Sequence, residues 1–342
     1  MAPIISYAQR YEDVYLLRVF GEQAGGFYID IGAGHPIYDN VSFAFYLRGW
    51  NGITVEPNPW LTQLSEAVRP RDSRIQSLVG EKAGEATYYL VEDFHGLSTM
   101  VEGHARKAHS EFGKNSQAMT VPVTTLRALC EQHAPASIDF LKIDVEGAER
   151  DVLLGADWRR FRPKIVVLEA LAPVTMAPAW KAWEPLLTGH EYRFAFFDSL
   201  NRYYVAGEHA ALSERLAAAQ PSFAGVVPFQ QFRPALEDAS HPDHDLARLL
   251  AGADMVRLPL MSFDSLTERL INGLDLTDPD RLAESSDIVA AHQRLFGKPA
   301  PPLWGNILQL APNSTVRDLY RSAVATEAFR AACGRISASS AW

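Results

Sequence analysis

Phe27-Tyr28-Ile29-Asp30-Ile31-Gly32-Ala33-Gly34 is the stretch whose reading decides the fold. A short, almost unbroken apolar run leads into a turn with two glycines. Continuous rather than alternating hydrophobicity is what a strand buried on both faces requires, and such strands belong to parallel sheets. Glycines after such a strand let the backbone come close to a ligand without a Cβ in the way. Open α/β sheets bind ligands at the carboxyl ends of their strands, so this turn marks a binding cleft.

Working outward, four further runs have the same texture: Gly52–Glu56, Arg74–Val79, Ile138–Asp144 and Lys164–Ala170. The stretches between them, such as Val41–Arg48, Pro59–Val68 and Thr124–His133, are long enough for crossover helices. Strand and helix in alternation predict a doubly wound α/β fold. Tyr192–Phe197 and Arg202–Val205, separated by Asp198-Ser199-Leu200-Asn201, read as an antiparallel hairpin closing one sheet edge. Past about Gln230 the texture changes. Pro234–Asp245 has a linker's composition, and the helical runs Leu246–Leu250, Ser262–Leu270, Pro279–Phe296 and Val316–Cys333 follow, punctuated by Gly273, Gly297 and Pro299–Pro302. The expected organisation is a catalytic domain over 1–232, a linker over 233–245 and a small α-helical domain over 246–342.

The bulk numbers restrict the partners. Of 342 residues, 47% are hydrophobic and 21% charged, the mix of a globular chain with a sizeable core. A formal charge of −9 without a long Lys/Arg run argues against a nucleic-acid partner. Two cysteines, Cys130 and Cys333, give neither a disulfide framework nor a cysteine zinc site. Met1–Arg10 lacks the pattern of a secretory signal, and no apolar run approaches the ~20 residues of a membrane span, so a cytoplasmic location is expected.

The cleft carries its own chemistry. A dinucleotide enzyme would place a third glycine where Ile37 stands, after His35-Pro36, so the pyrophosphate-binding helix start is poorly made. S-adenosylmethionine (SAM) has no phosphate and does not need that glycine. Glu56 ends the second strand, where an ionised carboxylate, an acceptor only, suits two neighbouring ribose hydroxyls. Expected cofactor neighbours are therefore Asp30, Ile31, Gly32, Ala33, Gly34, Glu56 and Pro57. In Asp139-Phe140-Leu141-Lys142-Ile143-Asp144-Val145-Glu146-Gly147-Ala148-Glu149, alternation sets Lys142, Asp144 and Glu146 on one side. Three charges on one side of a buried strand's end are costly unless they serve a site. Asp144 is expected beside the methyl donor as general base or acceptor-orienting group, with Glu146 second and Lys142 balancing charge. The competing explanation is a cap on the helix that follows, Ala148–Leu154. Gly96-Leu97-Ser98-Thr99-Met100 is a candidate cover over the pocket. Ser98, Thr99 and His35 are candidate substrate contacts, with a plain turn residue as the alternative for His35. A divalent metal is compatible with the Asp144/Glu146 pair, but nothing in the spacing demands one. His241 and His244 have no partner ligands nearby in sequence.

Together these residues resemble the FkbM family of SAM-dependent O-methyltransferases. The likeness begins at Ser6-Tyr7-Ala8-Gln9 with Glu12-Asp13 and continues through Asp30-Ile31-Gly32-Ala33, Gly49-Trp50, Gly52 and Glu56-Pro57. It resumes at Leu97-Ser98-Thr99, is most distinctive from Leu141 to Glu149, and covers about residues 4 to 207. The resemblance implies a Rossmann-like methyltransferase fold with a seven-stranded mixed sheet, helices on both faces, and cofactor contacts from Asp30, Gly32 and Glu56. It implies methyl transfer to a hydroxyl oxygen of a sugar, glycan or related natural product, with S-adenosylhomocysteine as product. In that family an acid often follows the third strand, where the adenine edge is read. This chain has Leu78-Val79-Gly80-Glu81 there, which leaves the adenine contact open and puts Val79 and Gly80 among the expected cofactor neighbours. Two rivals remain. One is a nucleotide-dependent oxidoreductase, disfavoured by the missing glycine. The other is a non-catalytic SAM- or glycan-binding module of a glycan-biosynthesis complex. Separately, the helical tail is a candidate dock for a partner enzyme.

Overall fold

The computed structural model describes residues 4–341 apart from 22, 92–97, 100–102, 104, 105, 107–109, 111–114, 134–136, 173, 174, 219–222, 297–310 and 312. The chain forms two compact units, Met1–Glu66 with Arg71–Pro228, and Ala67–Pro70 with Phe229–Trp342. In chain order the first unit contains β1 (Ile4–Ser6), α1 (Glu12–Phe20), β2 (Phe27–Ile31), α2 (Phe43–Tyr46), β3 (Asn51–Val55) and α3 (Pro59–Val68), which runs on past Glu66. Then come β4 (Ser73–Ile75), β5 (Leu78–Val79), β6 (Gly84–Leu90), β7 (Gln117–Thr124), α4 (Leu126–His133), β8 (Phe140–Ile143), α5 (Glu149–Leu154) and β9 (Ile165–Glu169). The unit closes with α6 (Glu184–Thr188), β10 (Tyr192–Phe197), β11 (Asn201–Ala206), α7 (Ala211–Ala218) and β12 (Val226–Pro228).

Seven strands form one sheet in the order β10-β11-β9-β8-β2-β3-β4. Only β11 runs against its neighbours; β9, β8, β2, β3 and β4 are parallel. This is the expected seven-stranded mixed α/β sheet. β2 is buried along its whole length, as its unbroken apolar character requires. On one face Ile29, Ile31, Leu141, Ile143, Val166 and Leu168 pack against Leu126 and Leu129 of α4 and Val152 and Leu153 of α5. On the other, Tyr28, Phe140, Val167 and Tyr203 pack against Leu16 and Val19 of α1, Phe45 of α2 and Leu216 of α7. The chain leaves β2 toward β3 and returns to β8 on its opposite side, so the strand order reverses between β2 and β8. Open α/β sheets bind their ligands at the carboxyl ends beside such a reversal.

One strand differs from the sequence expectation. Arg74–Val79 is not continuous: β4 joins the main sheet, whereas β5 joins a separate three-stranded sheet, β5-β7-β6. The break falls at Gln76-Ser77, where the Ser77 hydroxyl turns to the carbonyls of Leu78 and Pro122. β6 and β7, antiparallel and half-exposed, carry too little apolar pattern to stand out in the sequence.

The second unit is helical: α8 (His244–Leu249), α9 (Phe263–Gly273), α10 (Ser285–Phe296), α11 (Val316–Val324) and α12 (Glu327–Ser340) surround a core including Leu246, Leu270, Leu319, Phe329 and Ile336. Val316–Cys333, read as one helix, is two. Thr326 ends α11 and caps α12 by accepting from the Phe329 amide. Thr315 and Asp318 form a reciprocal capping box on α11. The stretch expected to be a linker lies inside this unit. Ala235, His241 and Asp243 are buried, and Asp243 receives two hydrogen bonds from Arg335, at 2.7 and 2.6 Å. Gly297 and Pro299–Pro302 fall outside the described residues. Among the described residues no helix is long and apolar enough to cross a membrane.

Candidate active site

Where the strand order reverses, the glycine turn takes its shape from backbone demands. Gly32 and Gly34 have φ of 73° and 59°, in the left-handed region that favours glycine. The amides of Gly32 and Ala33 donate to the Val55 carbonyl at 3.0 and 3.1 Å, latching the turn to the end of β3. A Cβ on Gly32 would lie 1.7 Å from the Asp144 carbonyl oxygen. The close neighbour that requires this glycine is thus the backbone leaving β8. Asn40, which the sequence did not single out, clamps the turn from below by donating to the Ala33 carbonyl at 3.0 Å.

Glu56 sits just past β3 and is part-buried. One carboxylate oxygen accepts from the Gly34 amide at 2.9 Å and the other from the Asn58 amide at 2.8 Å. Each oxygen has a second lone pair available. Burial pushes the Glu56 carboxyl up to about 7, against the pull of the two amides, and Asp30 adds to the rise. Pro57 is buried beside it, and Asn58 caps α3 through the Trp60 amide. Ile31 belongs to the core under the turn.

Asp30 lies on the face shared with α1 and α2. It accepts from the Ser42 hydroxyl at 2.5 Å and stands directly across from Lys142 in the β2–β8 register. Lys142 is buried and donates to Asp144 at 2.8 Å. Burial opposes the Lys142 charge, but Asp144 and Asp30 outweigh it and hold the ammonium above its ordinary range. The expected grouping of Lys142 and Asp144 on one side is therefore observed.

Past Asp144 the chain turns through Glu146 and Gly147, at φ of 52° and 102°. Glu149, rather than Asp144 or Glu146, satisfies this turn's amides, accepting from Gly147 at 3.0 Å. Glu146 is left to join Asp144 and Glu169 of β9: one carboxylate oxygen from each lies within 4.8 Å of the others. Burial, then Asp144 and Glu149, raise the Glu146 carboxyl well above the carboxylate range. Burial, then Asp144 and Glu146, push Glu169 up to about 11. Sequence reasoning missed Glu169, although an acid ending an apolar strand is the signal that marked Glu56.

The remaining expected residues serve the surroundings. The His35 ring accepts from the amides of Ile37 and Tyr38 at 3.1 and 3.0 Å, which makes it a turn-former. Ser98 and Thr99 are buried. The Ser98 hydroxyl accepts from the Val91 amide, and the Thr99 hydroxyl donates to the Glu146 carbonyl at 3.2 Å. Thr99 braces the Glu146 turn, while Gly96, Leu97 and Met100 of the expected cover lie outside the described residues. Val79 packs in the core and Gly80 donates to the Thr124 carbonyl, both at the junction of the small sheet rather than at the end of a main-sheet strand. Tyr88 of β6, also missed, is buried, and its phenol is raised first by burial and then by Glu56 and Glu146.

Residues 30–194 match the model of the methyltransferase FkbM domain family. Among solved structures, the chain is similar to a TehB-like SAM-dependent methyltransferase from Corynebacterium glutamicum, with 10% identity and a TM-score of 0.32 over 57% of this chain and 87% of that one. No curated protein matches in sequence. The matched segment begins at Asp30, contains Glu56, Lys142, Asp144, Glu146 and Glu169, and ends in β10.

Proposed function

We propose that the chain is a SAM-dependent O-methyltransferase acting on a hydroxyl of a sugar, a glycan or a related natural product. The observation that carries this reading is the pairing of Glu56 with the glycine turn at Gly34, 2.9 Å apart, at the strand-order reversal. An acid already oriented by backbone amides, with lone pairs to spare, suits a ribose diol. The turn amides of Gly32 and Ala33 are spent on Val55, so they are poor partners for a pyrophosphate. The residues thus fit a nucleoside without phosphate and disfavour a dinucleotide. Gly32, Gly34 and Glu56 would hold the cofactor. Gln76, exposed just past β4, is a candidate for the adenine contact that the sequence leaves open.

SAM supplies an activated methyl group on a sulfonium. The chain's part is to align the acceptor oxygen in line with that carbon and to take its proton as the bond forms. Asp144 is the group for this task. Lys142 holds one of its oxygens at 2.8 Å, which fixes the carboxylate's orientation and leaves the other for the acceptor hydroxyl. Glu146 and Glu169 gather beside it and add oxygens that can hydrogen-bond further hydroxyls, as a sugar offers. Asp144→Asn should abolish S-adenosylhomocysteine release across a panel of nucleotide sugars and glycans while SAM affinity stays within about twofold. Unchanged turnover would remove Asp144 from the mechanism.

A further inference from the structure

Three carboxylates converge at the ends of β8 and β9. Asp144, Glu146 and Glu169 each offer an oxygen within 4.8 Å of the other two. Two oxygens on opposite sides of a divalent cation at about 2.1–2.4 Å stand about 4.2–4.8 Å apart, so this spacing suits one ion. Acidic side chains cluster for many reasons, and the trio alone would not indicate a ligand. The independent observation is a pair of buried acceptors without donors. No described protein group reaches Oε2 of Glu169 or Oδ1 of Asn201. Asn201 is only 1% exposed and opens β11 directly opposite Glu169 in the β9–β11 register. Cross-strand partners share one face of the sheet and sit side by side. That face is the one carrying Lys142 and Asp30, because Val167 pairs with both Lys142 and Tyr203 two positions before Glu169 and two after Asn201. The Asn201 amide nitrogen is already engaged, donating to Glu12 at 2.7 Å, which fixes the side chain and leaves its carbonyl oxygen unmatched. A buried acceptor left unpaired is costly, and such a group marks a missing water or ion.

We infer that Asp144, Glu146 and Glu169, with the carbonyl oxygen of Asn201 beside them, form a site for one hard divalent cation of the Mg2+, Mn2+ and Ca2+ class. All four donors are oxygens, the set such ions prefer, and among the described residues no histidine or thiolate joins the group, which argues against zinc or copper. Lys142 is the neighbouring cation. Its hydrogen bond to Asp144 balances one negative charge of the group. The inference does not depend on the methyl-transfer reading, because it concerns ion binding alone.

Titration of the full chain with MnCl2, followed by loss of the free Mn2+ paramagnetic signal, tests it directly. The expected result is one saturable site per chain. Glu169→Gln should weaken it at least tenfold, and Glu208→Gln, a surface change elsewhere in the same unit, should leave it unchanged. Should Glu169→Gln fail to fold, Glu146→Gln reads the same site from its part-exposed rim and should show the same loss. No saturation by millimolar Mn2+, or equal affinity in the native chain and in the folded variants, would overturn the site.

Discussion

Glu56 makes the affinity for the cofactor depend on pH in a way that can be worked out from the structure. In the free protein burial pushes its carboxyl up to about 7. A ribose diol donates two hydrogen bonds, which favour the ionised carboxylate, so binding lowers this value and releases a proton. The sign follows. Below about pH 7 the free protein holds a proton that must leave on binding, and affinity falls as pH falls; above it affinity is flat. Each unit below the free-protein value costs a factor of about ten, so from pH 8 to pH 5.5 the dissociation constant should rise about thirtyfold. S-adenosylhomocysteine is a suitable probe, since its amino group and carboxylate titrate at about 8 and about 3.5, outside the steep part of that window. Isothermal titration calorimetry over this range, in buffers of different ionisation enthalpy, measures both affinity and the proton released. Glu56→Gln should bind several-fold more weakly at pH 8 and show a flat profile. A flat profile in the native protein, or the same slope in Glu56→Gln, would refute the ribose role.

Other perturbations test the scaffold around the site. Gly32→Ala places a Cβ against the Asp144 carbonyl at a positive φ, and should lower stability by more than ~2 kcal/mol in urea unfolding and abolish cofactor binding. Asp13 is fully buried, accepts from Ser6, Tyr7 and Val14, and is pushed by burial from 3.8 up to about 6. Because the folded value lies above the unfolded one, its contribution is intact below about pH 4 and lost as pH rises through 6. The native-minus-Asp13→Asn difference in unfolding free energy should therefore fall by up to ~3 kcal/mol between pH 4 and pH 7. In the helical unit, Arg335→Met strands the buried Asp243 carboxylate and should cost about 3–5 kcal/mol, read as a lower Tm for that unit.

Much of this architecture was legible in the sequence because strands buried on both faces cannot hide. Phe27–Ile31 and Lys164–Ala170 show their burial in composition alone, and the acids ending such runs, Glu56 and Asp144, mark the cleft. The parts that were not legible depend on pairing across distance. Asn201 matters because antiparallel register sets it opposite Glu169, and nothing near either residue announces that. Glu169 itself was readable, since the rule that singled out Glu56 applies to it. The small sheet escaped because β6 and β7 alternate weakly and expose much of their surface, so their pattern resembles that of a loop. Ser98 and Thr99 were candidate substrate contacts as part of a possible pocket cover, and His35 as a polar residue beside the glycine turn, with a plain turn residue as its alternative. Their hydrogen bonds go instead to the Ile37, Tyr38 and Val91 amides and to the Glu146 carbonyl.

The most direct test of the central claim is a paired binding measurement on the purified chain at pH 8, with S-adenosylhomocysteine in one titration and NAD in the other. The account predicts one-to-one, saturable binding of the adenosyl amino acid and no measurable heat with the dinucleotide. Binding of NAD, with S-adenosylhomocysteine ignored up to millimolar concentration, would contradict it.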